Sequence, residues 1–363
     1  MNRRQLPIFF AFVAILLPIF THAQVLTPDI VVTMKAKVLE VVSQTRHTVP
    51  GAGVEANYQT INVEVLDGPE KGKTVKVEND YLSLKSGDVF YLTHTVNKLD
   101  GSDFYTVSEP YRLPALGLLA LLFVAVVLVF GGVQGLRGLL ALGVSLFFIV
   151  FLLLPGILHG YPPIIVAVGV SSLIIIIGSY VTHGFNKTTS IAVVGMIATI
   201  LLTGILAYVA IPFAHLSGFT SDETTYLNIN TRGTIDFAGL LISGILIGAL
   251  GVLYDAAIGQ AVAVEELAQA GAHLSRREIY RRAVRIGREH IGALVNTLAI
   301  AYVGAALPLL LLFYGFGSDS LSLTINRELF ATEIVRAIIG SIGLVLAVPI
   351  TTLIAARFLV NHR

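Results

Sequence analysis

The sequence predicts a polytopic α-helical membrane protein of about seven transmembrane helices, with an N-terminal extracytoplasmic β-domain built as a small barrel or sandwich. Three observations lead there. Of 363 residues, 55% are hydrophobic and only 13% charged, whereas soluble domains average roughly 25% charged. Apolar runs of spanning length recur at about 114–131, 138–158, 163–182, 190–211, 237–254, 291–314 and 337–356. Residues 28–112 differ in kind, carrying charge throughout and alternating apolar with polar positions, the pattern of half-buried strands.

The composition also excludes. There is no cysteine, so neither a disulfide nor a thiolate metal site can form. A net charge of +1 gives no cationic field for nucleic acid. No Gly-x-Ser-x-Gly, His-Glu-x-x-His, P-loop or dinucleotide fingerprint is present. His159, His183 and His215 lack ligand spacing. The chain is therefore expected to be no enzyme and to carry no cofactor or metal.

Taken in order, residues 1–23 read as a signal peptide. Arg3 and Arg4 precede an apolar run from Ile8 to Phe20, and Thr21-His22-Ala23 supplies small residues at −3 and −1 of a cut. Cleaved or retained as an anchor, the segment places the β-domain outside the cytoplasm. Next, Ile61, Val63 and Val65 oppose Asn62 and Glu64, and Val75 and Val77 resume the alternation after Asp67-Gly68-Pro69-Glu70-Lys71-Gly72, which predicts a hairpin. With Ile30–Val42, Val89–Val96 and Phe104–Val107 this makes about five strands, enough for an OB- or SH3-like barrel. Arg46 to Asn57, with Pro50, Gly51 and Gly53, reads as an exposed loop.

Residues 113–363 form the transmembrane helical domain, and its charges set the orientation. The predicted inner connections hold Arg137, Lys187, six arginines between Arg276 and Arg288, and Arg357 and Arg363; the short outer ones hold Arg232 and Arg327 beside Asp222, Glu223, Asp319 and Glu328. This asymmetry predicts an inner C-terminus. Gly304 and Pro308 offer a kink in the sixth helix, and Glu333 with Arg336 reads as a local i, i+3 pair.

Chemistry concentrates between Asp236 and Pro308. Gly244, Gly248 and Gly251 share one helix face, which lets another helix approach closely. Asp255 comes next on that helix, whose length calls for a bend near Gly251 or Gly259 or for last turns outside the bilayer. Counted from Glu265 it lies about 15 Å deep, whereas counted from Asp236 it lies near the inner surface, about 28 Å along. The deeper placement makes it an ion or proton site, the shallower an interfacial polar residue. Asn296 and Thr297 lie at nearly the same deeper level on the next helix, within hydrogen-bonding reach of such a carboxylate. Between the two, Ser275 and Glu278 form a capping-box signature, so a basic helix spans about 276–289. Its Arg277, Arg281, Arg285 and Arg288 form a stripe suited to anionic lipid head groups at the inner face or to a partner surface.

These residues carry a resemblance. Tyr254-Asp255-Ala256-Ala257-Ile258, Glu266-Leu267, Gly287-Arg288-Glu289-His290-Ile291-Gly292 and Asn296-Thr297-Leu298-Ala299-Ile300-Ala301-Tyr302-Val303-Gly304 resemble the core of the YibE/F-like membrane protein family. Gly131-Gly132-Val133-Gln134-Gly135-Leu136-Arg137-Gly138 and Thr182-His183-Gly184 resemble it too, over about 114–357 in all. His290 departs from the family pattern, where aspartate is usual. The resemblance implies a bacterial envelope protein, multi-pass in the inner membrane, with an outer β-domain; no activity comes with it. A looser similarity to the RND superfamily, including the Sec export components, lies in the glycine-rich helix bearing an aspartate, the Glu-Glu-Leu and the basic loop. Two functions are expected from this: a transporter or export-related permease using Asp255, Asn296 and Thr297, or a non-transporting scaffold or sensor whose β-domain binds an envelope protein or a second copy.

Overall fold

The computed structural model describes residues 30–48, 55–80, 82–98, 100–271, 273–316 and 320–360. The expected signal segment lies outside them. The chain divides into two compact units, Met1–Leu122 and Phe123–Arg363.

In the first unit, β1 (Ile30–Thr48), β2 (Glu55–Val65), β3 (Thr74–Asn79), β4 (Val89–Val96) and β5 (Asp103–Pro110) form one antiparallel sheet in the order β3-β2-β1-β4-β5. The alternation has the expected cause, since Met34, Ala36, Val38, Ile61, Val63, Val65, Val75, Val77, Phe90 and Leu92 share one buried cluster. β1 is long enough to pair with β4 through residues 30–37 and with β2 through 36–48. Register shifts at Val38/Glu40 and Val41/Ser43 are bulges that bend the strand, so the sheet curls into a half-barrel. The hairpin at 66–73 forms as expected. Residues 46–48 and 55–57, expected in a loop, are paired instead, Arg46 opposite Asn57 and Thr48 opposite Glu55. The rest of that expected loop, residues 49–54, lies outside the described residues, and a ribbon exposed on both faces shows no apolar alternation to announce its pairing.

At the open seam, Glu70 from the β2–β3 turn meets β5. The Tyr105 hydroxyl donates to Glu70 at 2.7 Å, and Lys73 donates to Tyr105 at 2.8 Å and to Glu70 at 3.1 Å. His94 stacks on Tyr105 at 4.3 Å and lies 3.3 Å from Asp103. Within the sheet, Gln59 and Asn79 are buried but paired, Gln59 exchanging bonds with the backbone of Leu84 and Asn79 donating to Gln59.

The second unit is helical. α1 (Leu113–Phe148) continues through a wide π turn at Ile149–Leu153 into α2 (Leu154–Leu158), where Pro155 removes a backbone donor. α3 (Pro163–His183), α4 (Lys187–Phe213), the short α5 (Asp222–Asn230), α6 (Phe237–Ala270), α7 (Arg276–Ala305), α8 (Leu307–Phe316), the short α9 (Leu321–Asn326) and α10 (Glu328–Leu359) complete it. Among the described residues five helices are long and apolar enough to cross a membrane, or six if the pair α7–α8, bent by 63°, is one span.

The expected count was seven, and the difference lies in the run Leu113–Leu158, 46 residues. That is about 69 Å of helix against a hydrocarbon core of ~30 Å. The run is not straight. Gly132 has φ 52° and ψ −137°, a conformation that glycine alone adopts freely. Beyond it the Val127 carbonyl lies against Gly135, eight residues on, where a straight helix would hold them about 12 Å apart. The two runs expected at 114–131 and 138–158 therefore flank a sharp turn.

The basic segment is also different from expectation. The capping box at Ser275 and Glu278 forms, but the helix does not stop near 289; it runs on to Ala305, because nothing before Gly304 and Pro308 breaks it. Pro308 accounts for the bend.

Because Glu70 accepts first from Tyr105 and also from Lys73, its carboxyl is held below the usual carboxylate range, while the Lys73 ammonium is held above its own. A lowered carboxyl stabilises above its unfolded value, near 4.3, and that contribution disappears as pH falls through the folded value; the lysine contribution persists throughout this range. The protection of β5 amides in the full chain, measured against intrinsic exchange at the same pH, should therefore hold from pH 7 to about pH 5 and fall on acidification below about pH 4. Tyr105→Phe should raise exchange at pH 7 by the equivalent of about 1–2 kcal/mol and flatten the acid response. A Tyr105→Phe chain with unchanged β5 protection would show that the seam is not held this way.

Candidate functional site

Helix α6 is fixed at its start by Asp236, whose side chain accepts from the Gly239 amide at 3.0 Å, an N-cap. It runs unbroken for 34 residues, about 51 Å. Of the two alternatives, a bend near Gly251 or Gly259 or last turns outside the bilayer, the first has no break in the helix to accompany it. The excess length is carried past Asp255, where Val264 packs with Ile279 and Ala283 of α7 and with Ala355 and Ala356 of α10.

Neighbours locate Asp255 along this helix. Gly239 lies against Pro163 at the start of α3, and the Tyr254 hydroxyl donates to the Gly178 carbonyl at 3.2 Å. Asp255 therefore sits about one turn before α3 ends. His183, the last residue of α3, interacts electrostatically with Asp255, and its ring lies 5.8 Å from that of Tyr254.

Asp255 is exposed to two cavities. One of about 530 Å³ is walled mainly by apolar residues of α1, α3 and α6, including Leu142, Ile149, Ile174 and Leu250. The other, about 180 Å³, lies between α6 and α7 and is lined by Gly259, Gln260, Ile286, His290 and Leu294, with Val348 of α10. A third cavity of about 310 Å³ lies at the α3–α4 turn, lined by His183, Asn186, Thr188, Thr189, Ile258, Val262 and Glu265.

The expected trio does not assemble as a hydrogen-bonded group. Asn296 and Thr297 are not buried, Thr297 donates to Ala293 within its own helix at 2.9 Å, and neither bonds to Asp255 among the described residues. Counting residues along a helix gives level but not azimuth. Ile286, His290 and Leu294 recur every four residues and so share the face toward Asp255, while Asn296, two residues past Leu294, points about 200° away from it. From sequence, His183 is weighed for ligand spacing and as part of the family resemblance, and His290 is noted only as a departure from the family pattern; neither is put beside Asp255, although the i, i+4, i+8 recurrence that carries His290 was available in the sequence.

The glycine stripe behaves unevenly. Gly248 faces the Tyr302 hydroxyl of α7, whereas Gly244 and Gly251 have nothing within 4 Å of where a Cβ would stand. Gly251 instead lines the larger cavity. A tight approach is found at Gly287, where a Cβ would meet Gln260 and Val348. Gln260, 3% exposed, accepts from the Thr352 hydroxyl at 2.8 Å, which satisfies a buried amide oxygen by crossing between helices.

Arg277, Arg281, Arg285 and Arg288 form a stripe on the outer side of α7, and the opposite face, Ile279, Ala283 and Gly287, is buried against protein. Arg276 turns the other way and donates to the Val360 carbonyl at 3.1 Å, capping α10. Glu333 and Arg336 pair at 3.0 Å, as expected.

The family described as YibE/F-like protein matches residues 119–361. The chain belongs to the YibE/F-like family. No curated protein and no solved structure matches it. In this YibE/F-like chain the matched region begins within α1 and runs past the end of α10. It thus contains Asp255, both flanking histidines and the Gln260–Thr352 contact, and leaves out the five strands.

Gly287→Val should lower the thermal midpoint of the purified protein in detergent by the equivalent of about 1–3 kcal/mol, through overpacking against Gln260 and Val348. Gly244→Ala, with open space around it, should change it by less than about 0.5 kcal/mol. Equal melting of the two variants would refute the three-helix junction.

Proposed function

We propose that this YibE/F-like protein is a transporter or export-related permease of the bacterial inner membrane, non-enzymatic, with Asp255 as its ion or proton site. The observation that carries the reading is the position of Asp255. It is the charged residue of a helix that from Phe237 to Val264 is otherwise uncharged and mostly apolar, with cavities on two sides of it. Burying an isolated carboxylate in hydrocarbon costs about 2.5–3.5 kcal/mol even on insertion scales. Cavities offer it water instead, and a group that can be reached by water and neutralised by a proton is what ion-coupled transport uses. Asn296 and Thr297 belong to the far side of α7 in this reading, as polar contacts for a neighbouring element or a second copy.

The topology goes with it. The signal segment is cleaved, the β-unit lies outside, and seven helices cross, counting the two arms around Gly132 separately. The arginine stripe of α7 faces the cytoplasm and anionic lipid head groups, supported by the charge asymmetry of the connections.

A scaffold or sensor is the second reading, favoured by the ordered seam of Glu70, Lys73, His94 and Tyr105, which gives the β-unit a firm surface for a partner. Asp255→Asn separates the two, because it preserves size and fold while removing the charge. Transport predicts loss of complementation of a deletion strain at normal expression and melting temperature, whereas the scaffold predicts full complementation. Reporter fusions after residues 187, 225, 280 and 363 should read in, out, in, in. An outside signal at 280 would overturn the orientation.

A further inference from the structure

Three features along one face of α6 belong together. Asp255, Ile258, Val262 and Glu265 succeed one another at steps of three and four residues, so they line a single stripe. The last three wall the cavity of about 310 Å³ at the α3–α4 turn. His183 lines that same cavity, and its ring lies 5.8 Å from that of Tyr254, the neighbour of Asp255. Around it the walls are polar, with Asn186, Thr188, Thr189 and Glu265. Thr188 is only 8% exposed, yet its side chain makes no hydrogen bond among the described residues. A buried hydroxyl facing a polar cavity calls for water. The cavity of about 530 Å³ beside Asp255 is more apolar, lined chiefly by leucine, isoleucine, alanine and glycine with Ser145, Thr182 and Tyr254, so it holds water less firmly than the polar walls of the α3–α4 cavity.

We infer that the α3–α4 cavity is a water-filled vestibule and that His183 is the relay passing protons between its water and the Asp255 carboxylate. The inference rests on the reading of Asp255 as a proton site and adds the route by which the proton arrives. The balance is simple: a hydronium in the vestibule gives its proton to the free ring nitrogen of His183, and the other ring nitrogen releases its proton to an intervening water, which passes one of its own to the carboxylate. The ring is left as the opposite tautomer, which reorientation or a return transfer restores. Imidazole suits the task because it accepts and donates near neutral pH. The groups facing His183 are Asp255 and Tyr254 of α6, with Glu265 across the vestibule and Lys187 in the same turn. His183 is a positioning and relay residue, and Asp255 is the terminal acceptor.

The test needs no knowledge of the substrate. In the full-length protein reconstituted in a bilayer, infrared difference spectroscopy identifies the carboxyl stretch of protonated Asp255 by its loss in Asp255→Asn. The rate at which that band shifts after a change from H₂O to D₂O reports proton access. His183→Gln should slow the shift by about 100-fold. Val262→Trp, which fills the vestibule at an exposed position and leaves His183 in place, should slow it comparably. Leu142→Trp, in the apolar cavity, should leave it unchanged. Exchange at the wild-type rate in both His183→Gln and Val262→Trp overturns the relay while the Asp255 site stands. Absence of any band that Asp255→Asn removes at any pH overturns the site itself, and the relay with it.

Discussion

Helix α10 can serve as the central post of the helical unit only because small residues and hydroxyls let its neighbours reach its backbone. It packs on α4, α6 and α7. On the α4 side Gly195 faces Thr351 and Gly343 faces Thr203. On the other side Thr352 meets Gln260 of α6, and Gly287 of α7 closes the same junction. In a bilayer, apolar side chains gain little by leaving lipid for protein, so association depends on close packing and interhelical hydrogen bonds. The hydroxyls meet both demands. Thr199 and Thr203 each donate to the carbonyl four residues earlier, which satisfies the polar group inside its own helix and presents a smooth, small surface.

The site depends on that arrangement. With α10 holding α4, α6 and α7 together near Gln260, the section of α6 just before it is flanked on opposite sides by α3 and α7, and Asp255 falls there. Tyr254 anchors the α3 side through the Gly178 carbonyl. The α7 side is set by the face bearing Ile286, His290 and Leu294. The polar connections are tied off by other means: Glu328, at the start of α10, accepts from the Ser217 hydroxyl and from the amides of Ser217 and Gly218. Such charge-assisted bonds to consecutive amides hold a loop whose backbone would otherwise be unpaired.

The sequence alone determined what depends on local chemistry and periodicity. Alternation at period two placed β2, β3 and β4, and the hairpin between β2 and β3, because one face of each strand is buried. Apolar runs located every long helix, and Ser275 with Glu278 marked the start of α7 within a residue. Composition fixed the membrane class, since 13% charge cannot cover a soluble surface. Asp255 was also legible, as an acid within a mostly apolar run.

Tertiary structure decided what depends on rotation about helix axes and on partners distant in sequence. Counting residues gives depth at about 1.5 Å per step, but which of two helix faces meets a neighbour depends on packing. Asn296 was therefore paired with Asp255 by depth, and His290 took the facing position. His183 lies 72 positions from Asp255 in the chain, and no local pattern links them; only the docking of α3 on α6 does. The turn at Gly132 was hidden for a related reason. Glycine is common in membrane helices and usually continues them, and nothing in Gly131-Gly132 distinguishes a packing glycine from one with φ of 52°. The barrel seam was likewise unreadable, because Glu70, His94 and Tyr105 meet only after β1 has curled to bring the outer strands together.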